Sequence, residues 1–413
     1  MILMNIIKFG PSYKEVKAEL YSDEWYAAVQ EQDEKQRTAR EKLGNILDAG
    51  FIHLMQNMFE PGEENNVFSP LALGYSLLTL IAATKGKTRQ EILDLLKLKS
   101  IDTKKIQQLL QQCIAGNLVG NKTELANAVW ANDLFISENF AAENLAKALK
   151  ADIGVGRFGE KETDEQIHKW INEHTGNLLK AYSDKIEMSK EGILEILTTL
   201  YFYSPWYYKF NKSATKTGYF HVTPSERTKV QFMKKIKQGF YHEYHNFTAV
   251  TEDLRGGYKM NFLLPKNGID PVELLKDADV MEYFMREERD EAEWVFIKMK
   301  VPRFDVKCKI DMEKKLKQLG VSRIFMSGEA ELDEKLIDIP GVYLSKAQQV
   351  SRVKVNEDGI EGASFVEFGP ICAGLPPKLR EFEFYLDRPF LFSVMKNEGI
   401  PLFVGVVKNP GII

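Results

Sequence analysis

The clearest change of character along the chain lies between Asn66 and Thr84. Asn66-Val67-Phe68 reads as a short strand, and Ser69 and Pro70 suit the N-cap and first turn of a helix. The run from Leu71 is apolar nearly all round and predicts a buried helix. Upstream, Tyr13 to Leu47 spaces Leu, Tyr and Ala among Glu, Lys and Gln, a solvated helical lead-in rather than a core element. Ala49 to Phe59 has helical spacing and is stopped by Pro61-Gly62. Further helices are expected over Thr88–Leu98, Leu109–Leu118, Asp164–Leu179 and Met312–Leu319, the last closed by Gly320. Glu124 to Phe135 has strand character, and Leu194 to Phe210 is a run of β-formers long enough for a central strand covered on both faces. Strands then dominate: Gly218–Val222, Lys229–Met233, Gly239–Tyr244, Tyr258–Leu264, Glu293–Val301 and three more after residue 340. Helices early and strands late, without steady βαβ alternation, predict an α+β fold rather than a doubly wound sheet.

Composition narrows the function. Of 413 residues, 44% are hydrophobic and 28% charged, enough apolar surface for a sizeable core. The net charge of -4 leaves no global positive field, so nucleic acid is not expected as a partner. The short run Lys234-Lys235-Ile236-Lys237 could touch a sulfated polysaccharide but reads more simply as a solvated turn or strand end. Cys113, Cys308 and Cys372 support neither a disulfide framework nor a cysteine-built metal site. His242 and His245 fall on opposite faces of a strand and read as surface residues. Leu71 to Thr84 is the longest apolar stretch and too short to cross a bilayer, so no membrane partner is expected. Nucleotide, hydrolase and zinc signatures are absent. No enzymatic turnover, cofactor or metal is expected.

Several ordered segments then resemble one family. Asn66 to Pro70 with the buried helix and Thr84-Lys85-Gly86-Lys87-Thr88, Trp170-Ile171-Asn172 with Thr175 and Gly176, and Tyr201-Phe202 with Trp206 and Phe210 are similar to serpin motifs. So are Val355-Asn356-Glu357-Asp358-Gly359, Phe384 to Phe392, Pro401 to Gly405 and Asn409-Pro410. The resemblance spans about residues 48 to 410 and implies the serine protease inhibitor fold. That means a helix-rich N-terminal half on a large central mixed sheet, with further sheets and an exposed reactive loop. The division expected is a polar lead-in over 1–47 and one domain over 48–413, with the loop at about 357–378. The family's shutter of Ser, Asn and His maps onto Ser69, Ala72, Thr198 and Gln349, so Asn and His are replaced.

The resemblance implies a protease inhibitor whose loop is cleaved, traps the acyl-enzyme and enters the central sheet, the family's known behaviour. An entering strand buries one alternating set of side chains. Ile360, Gly362, Ser364, Val366 and Phe368 form a set without charge, while Glu361 and Glu367 fall in the other; proline is absent until Pro370. Glu357 and Gly359 open this hinge. Loop length counted from Glu357 puts the reactive bond at Ala373-Gly374, and counting back from Pro389 puts it at Lys378-Leu379; Ala373 is favoured. The partner implied is a serine protease, or a papain-like cysteine protease met across classes, bound by a monomer. The alternative is a non-inhibitory serpin acting as carrier, storage protein or chaperone. The family resemblance favours an extracellular site, while a cytoplasmic one fits the missing secretion signal: Lys8 interrupts the apolar Met1–Ile7 and no cleavage pattern follows.

Overall fold

Ser69 starts the central helix as its sequence requires: its Oγ accepts from the Ala72 amide at 3.0 Å, and Pro70 occupies the first helical position. The computed structural model describes residues 23–62, 64–99, 102–115, 120–135, 147, 149–286, 292–333, 342–344, 347–360, 380–396 and 399–411. Helices come first: α1 (Asp23–Leu43), α2 (Asp48–Asn57), then β1 (Asn66–Phe68), α3 (Pro70–Ala83), α4 (Gly86–Leu95) and α5 (Thr103–Ile114). Next are β2 (Lys122–Asn132), β3 (Asp152–Gly156), α6 (Lys161–His174), α7 (Lys180–Ser183) and β4 (Leu194–Pro205). Strands then dominate through β5 (Lys216–His221), β6 (Arg227–Glu243), β7 (Phe247–Leu254), β8 (Tyr258–Pro265), β9 (Ala292–Pro302) and β10 (Phe304–Asp311). The chain ends with β11 (Gln348–Asn356), β12 (Gly359–Ile360), β13 (Glu381–Tyr385), β14 (Phe390–Lys396) and β15 (Ile400–Val407).

One sheet has the order β1-β15-β14-β8-β7-β6-β9-β13, with β5 on β6; the other runs β10-β11-β12-β4-β2-β3. Both are mixed, because β13 runs parallel to β9 and β3 parallel to β2. The α+β class therefore stands. The six-stranded sheet lies between two helices. On one face α3 packs against β4. On the other, Ile167 and Ile171 of α6 bury against Ala128 and Trp130 of β2. Among the described residues, no helix is long and apolar enough to cross a membrane.

Four sequence expectations need correction. The lead-in is not wholly solvated: α1 packs on α5, and Ala39, Leu43 and Leu47 join the main core, since a narrow apolar edge suffices to bury one side of a helix. Gln36 is buried too, accepting from Lys396 Nζ at 2.9 Å. Lys229–Met233 and Gly239–Tyr244 are one strand, β6, because its ladder with β9 continues through the lysines between them. Five described strands, not three, follow residue 340. His242 is buried, its ring 5.1 Å from that of Tyr283, so it is not a surface residue.

Candidate functional site

The site begins at a hairpin. β11 and β12 pair Val355 with Ile360 and Asn356 with Gly359, leaving Glu357 and Asp358 at the tip. The Asn356 side chain accepts from the Asp358 amide at 2.9 Å, a local bond that favours the turn. Gly359 has φ +150°, and a Cβ there would lie 2.6 Å from Pro205 Cα and collide with the Ser204 carbonyl, so only glycine fits. β4 continues into Trp206, which is fully buried and donates its indole N–H to the Asn356 carbonyl at 2.8 Å. The Trp206 and Phe210 amides donate to the Asp358 and Glu357 carbonyls, both at 3.2 Å.

Charged groups clamp the tip. Glu357 is 2% exposed and accepts from Arg303 Nε at 2.9 and 3.0 Å, from Arg303 Nη2 at 2.6 Å and from Thr215 Oγ1 at 2.5 Å. Burial raises the pKa of its carboxyl, but the bonds from Arg303 and Thr215 outweigh that and hold it below the ordinary carboxylate range. Asp358 pairs with Lys212 at 2.8 Å and Lys209 at 3.2 Å. Burial raises its pKa as well, and these two lysines bring it below the ordinary value. A cleft beside the tip is lined by Lys212, Arg303, Lys354, Asn356 and both acids.

Below this clamp, the described residues of β4 and β11 do not pair with each other. β11 pairs with β10 from Val355 to Gln348, and on its other edge only with β12. β4 pairs with β2 and, on its other edge, only with Gly359 and Ile360 of β12. Among the described residues no ladder joins β4 directly to β11, and at one end the two residues of β12 stand between them in what is called the slot. Two polar networks form its floor at α3. Gln349 of β11 accepts from the Ser69 amide at 3.0 Å and donates to the Ser69 carbonyl at 3.1 Å. Thr198 of β4 donates to Asn127 Oδ1 at 2.8 Å, and Asn127 Nδ2 donates to Thr79 Oγ1 of α3 at 3.0 Å. Gln107 of α5 also donates to Thr79, at 2.9 Å.

A family model described as serpin (serine protease inhibitor) matches residues 51–410. The chain belongs to the serpin family. Members of this family are protease inhibitors rather than catalysts, and a protease is the kind of target that membership implies. The serine protease inhibitor of Cyanea capillata is 27% identical over 380 residues, covering 87% of this serpin and 96% of its own length. Serpin-Z10 of Arabidopsis thaliana is 27% identical over 365 residues, covering 84% and 92%. In fold, the chain is similar to the native state of a thermophilic serpin, tengpin, with a TM-score of 0.75 at 22% identity, covering 90% of this chain and 94% of that one. It is also similar to thyroxine-binding globulin in complex with thyroxine, with a TM-score of 0.72 at 18% identity, covering 89% and 99%.

In this serpin, Glu357, Gly359 and Ile360 come together in the hairpin, and Ile360 is already 2% exposed in the uncut chain. Gly362, Ser364, Val366, Phe368, Ala373, Gly374, Lys378 and Leu379 lie outside the described residues. The four shutter positions divide: Ser69, Ala72 and Gln349 share one network, whereas Thr198 bonds Asn127 on the neighbouring strand. The reason is register, since Thr198 sits directly opposite Asn127 in the β2–β4 ladder. Sequence reasoning missed Asn127, Thr79 and Gln107. Their signal was a polar residue on an apolar face, and all three are buried. It also missed the lysine pairing: Lys235 and Lys237 both bond Glu252, so two of the three basic residues in that run are already matched.

Proposed function

We propose that this serpin is a suicide inhibitor of proteases, acting by reactive-loop cleavage, acyl-enzyme trapping and entry of the loop into the slot between β4 and β11. The observation that carries this reading is the two-residue β12, which pairs with β11 on one edge and β4 on the other where those two strands do not pair with each other among the described residues. Continuing its two ladders by pairs would set Gly362 against Phe202 and Val353, Ser364 against Leu200 and Ser351, and Val366 against Thr198 and Gln349. Phe202, Val353 and Ser351 are buried, so the uncharged set would meet the buried face, as period-two geometry demands. A strand of about 14 residues would add roughly 46 Å of ladder.

Cutting the loop should therefore raise the thermal midpoint substantially; an unchanged midpoint after complete cleavage would favour a non-inhibitory carrier, storage or chaperone role. The reactive bond proposed is Ala373-Gly374, read by an elastase-like serine protease or a papain-like cysteine protease, with the serpin acting as a monomer. Mixing with elastase-like, trypsin-like and papain-like enzymes, followed by mapping of the cut in SDS-stable complexes, tests both class and bond. Ala373→Arg should redirect inhibition toward trypsin-like enzymes and Lys378→Ala should leave the original target unaffected; the reverse pattern places the bond at Lys378.

A further inference from the structure

The family match begins at residue 51, so α1 lies outside the matched residues. Its inner stripe, Gln36, Ala39 and Leu43, recurs at steps of three and four and is buried where the helix packs on α5. The glutamine in that stripe uses both atoms of its amide. Nε2 donates to the carbonyl of Ala115, the C-cap of α5, and Oε1 accepts from Lys396 Nζ at 2.9 Å. Lys396 ends β14 and is buried; its ammonium also donates to the Gly256 carbonyl and lies 4.6 Å from the centre of the Tyr258 ring. The Tyr258 hydroxyl donates to the Ile114 carbonyl at 2.7 Å, which brings the same group back to the end of α5. Gly256 belongs to the turn between β7 and β8, and the residues before it are fastened to β4. The Arg255 amide donates to the Pro205 carbonyl at 3.1 Å, Ser204 Oγ donates to the Arg255 carbonyl at 3.0 Å, and the Tyr207 amide donates to the Asp253 carbonyl at 2.8 Å. Ser204 and Pro205 are the residues of β4 that pair with Ile360 and Gly359. A continuous series of hydrogen bonds and ladder pairs thus runs from α1 to the hinge hairpin.

We propose that α1 is an intramolecular effector of the hinge: by seating Gln36 on Lys396 it fixes the β7–β8 turn, and through that turn the end of β4 on which β12 pairs. This goes beyond protease inhibition and holds whether or not the loop enters the sheet. The physical reason is that a buried ammonium must keep its acceptors. With the Gln36 carbonyl in place, Lys396 is held where it also reaches Gly256, so lifting α1 from α5 loosens the turn. The test is amide hydrogen exchange in the full-length protein, read at Arg255 and Tyr207, whose N–H groups make the bonds between the turn and β4, and at Ile360. Gln36→Leu keeps the helix and its stripe and should speed exchange at Arg255 and Tyr207 about tenfold, the effect of losing one hydrogen bond from a charged donor. Ile360 should quicken with them, while the β2–β3 ladder keeps its native rates. Lys396→Met removes the ammonium, keeps the bulk of the buried stem and should give the same pattern at least as strongly, which preserves the test if the leucine variant does not fold. Combining the two should add nothing to Lys396→Met alone, because both break one link. Faster exchange confined to α1 and α5, with Arg255 and Tyr207 unchanged, would overturn the proposal. So would a uniform rise across every strand, which would mean a general loss of stability, or additive effects, which would mean that α1 and the turn are held independently.

Discussion

The two ends of the slot are held by different chemistry. At the hairpin end, β4 and β11 are joined through Gly359 and Ile360 and fixed by Trp206, Arg303, Lys209 and Lys212. At the floor, each strand is tied to α3 instead: β11 through Gln349 and Ser69, β4 through Thr198, Asn127 and Thr79. The hairpin end is therefore a clamp between the strands, and the floor is a pair of separate tethers to a common helix. Among the described residues, separating the strands at the floor breaks no ladder, whereas separating them at the top breaks a buried tryptophan anchor and a charged cluster. Opening should begin at the floor in the uncut protein, with the clamp as the last part to yield.

The largest effect should come from the clamp. Trp206→Ala removes a fully buried ring and its bond to Asn356, and should cost about 3–5 kcal/mol in denaturant unfolding. A loss under about 1 kcal/mol, the range of ordinary surface changes, would show that the clamp does not hold the sheet. Next comes the floor: Asn127→Leu leaves Thr198 and Thr79 with fewer partners and should cost about 1–3 kcal/mol. Its accompanying signature is faster amide exchange in β4 than in β11, because only the β4 tether is cut. Equal exchange in both strands would mean that the tethers act as one network.

The smallest effect is one of pH, and it separates the two ends directly. Glu357 and Asp358 have folded pKa values below their ordinary ones, so their stabilisation is complete above the unfolded carboxylate range, about 4. It is lost as pH falls through the depressed folded values, when protonation removes the charge that Arg303 and the lysines bind. The floor groups, Ser69, Gln349, Thr198, Asn127, Thr79 and Gln107, do not titrate. The thermal midpoint of Glu357→Gln should therefore fall less steeply on acidification than that of the native protein, while Asn127→Leu should follow the native slope. Parallel slopes for Glu357→Gln and the native chain would place the acid-labile contacts elsewhere.

How far the sequence could be read follows from the range of each interaction. Ser69, Pro70 and the buried helix after them were legible because capping and apolar periodicity are local. The hinge at Val355 to Gly359 was legible only through its resemblance to a family motif, not through a local rule. The partner of Thr198 was not legible, because it depends on which strand lies beside it, a property of register between residues 71 apart in sequence. Ile360 was expected within the exposed reactive loop, and instead it is already paired with Ser204 and Val355 inside the core. An Ile360→Arg substitution would consequently damage the uncut state as well, and does not isolate insertion.

The two flanks of the loop belong to different sheets: β12 completes the six-stranded one, while β13 runs parallel to β9 in the other. A backbone cut between them would leave each new terminus attached to a different sheet, and on the insertion reading proposed above the ends would then no longer lie within bonding distance. Each molecule would then act once, as a consumable. The capacity to restrain a protease would be set by how many uncut copies are in stock and how quickly they are replaced, in the manner of a reservoir being drained, and not by a dissociation constant.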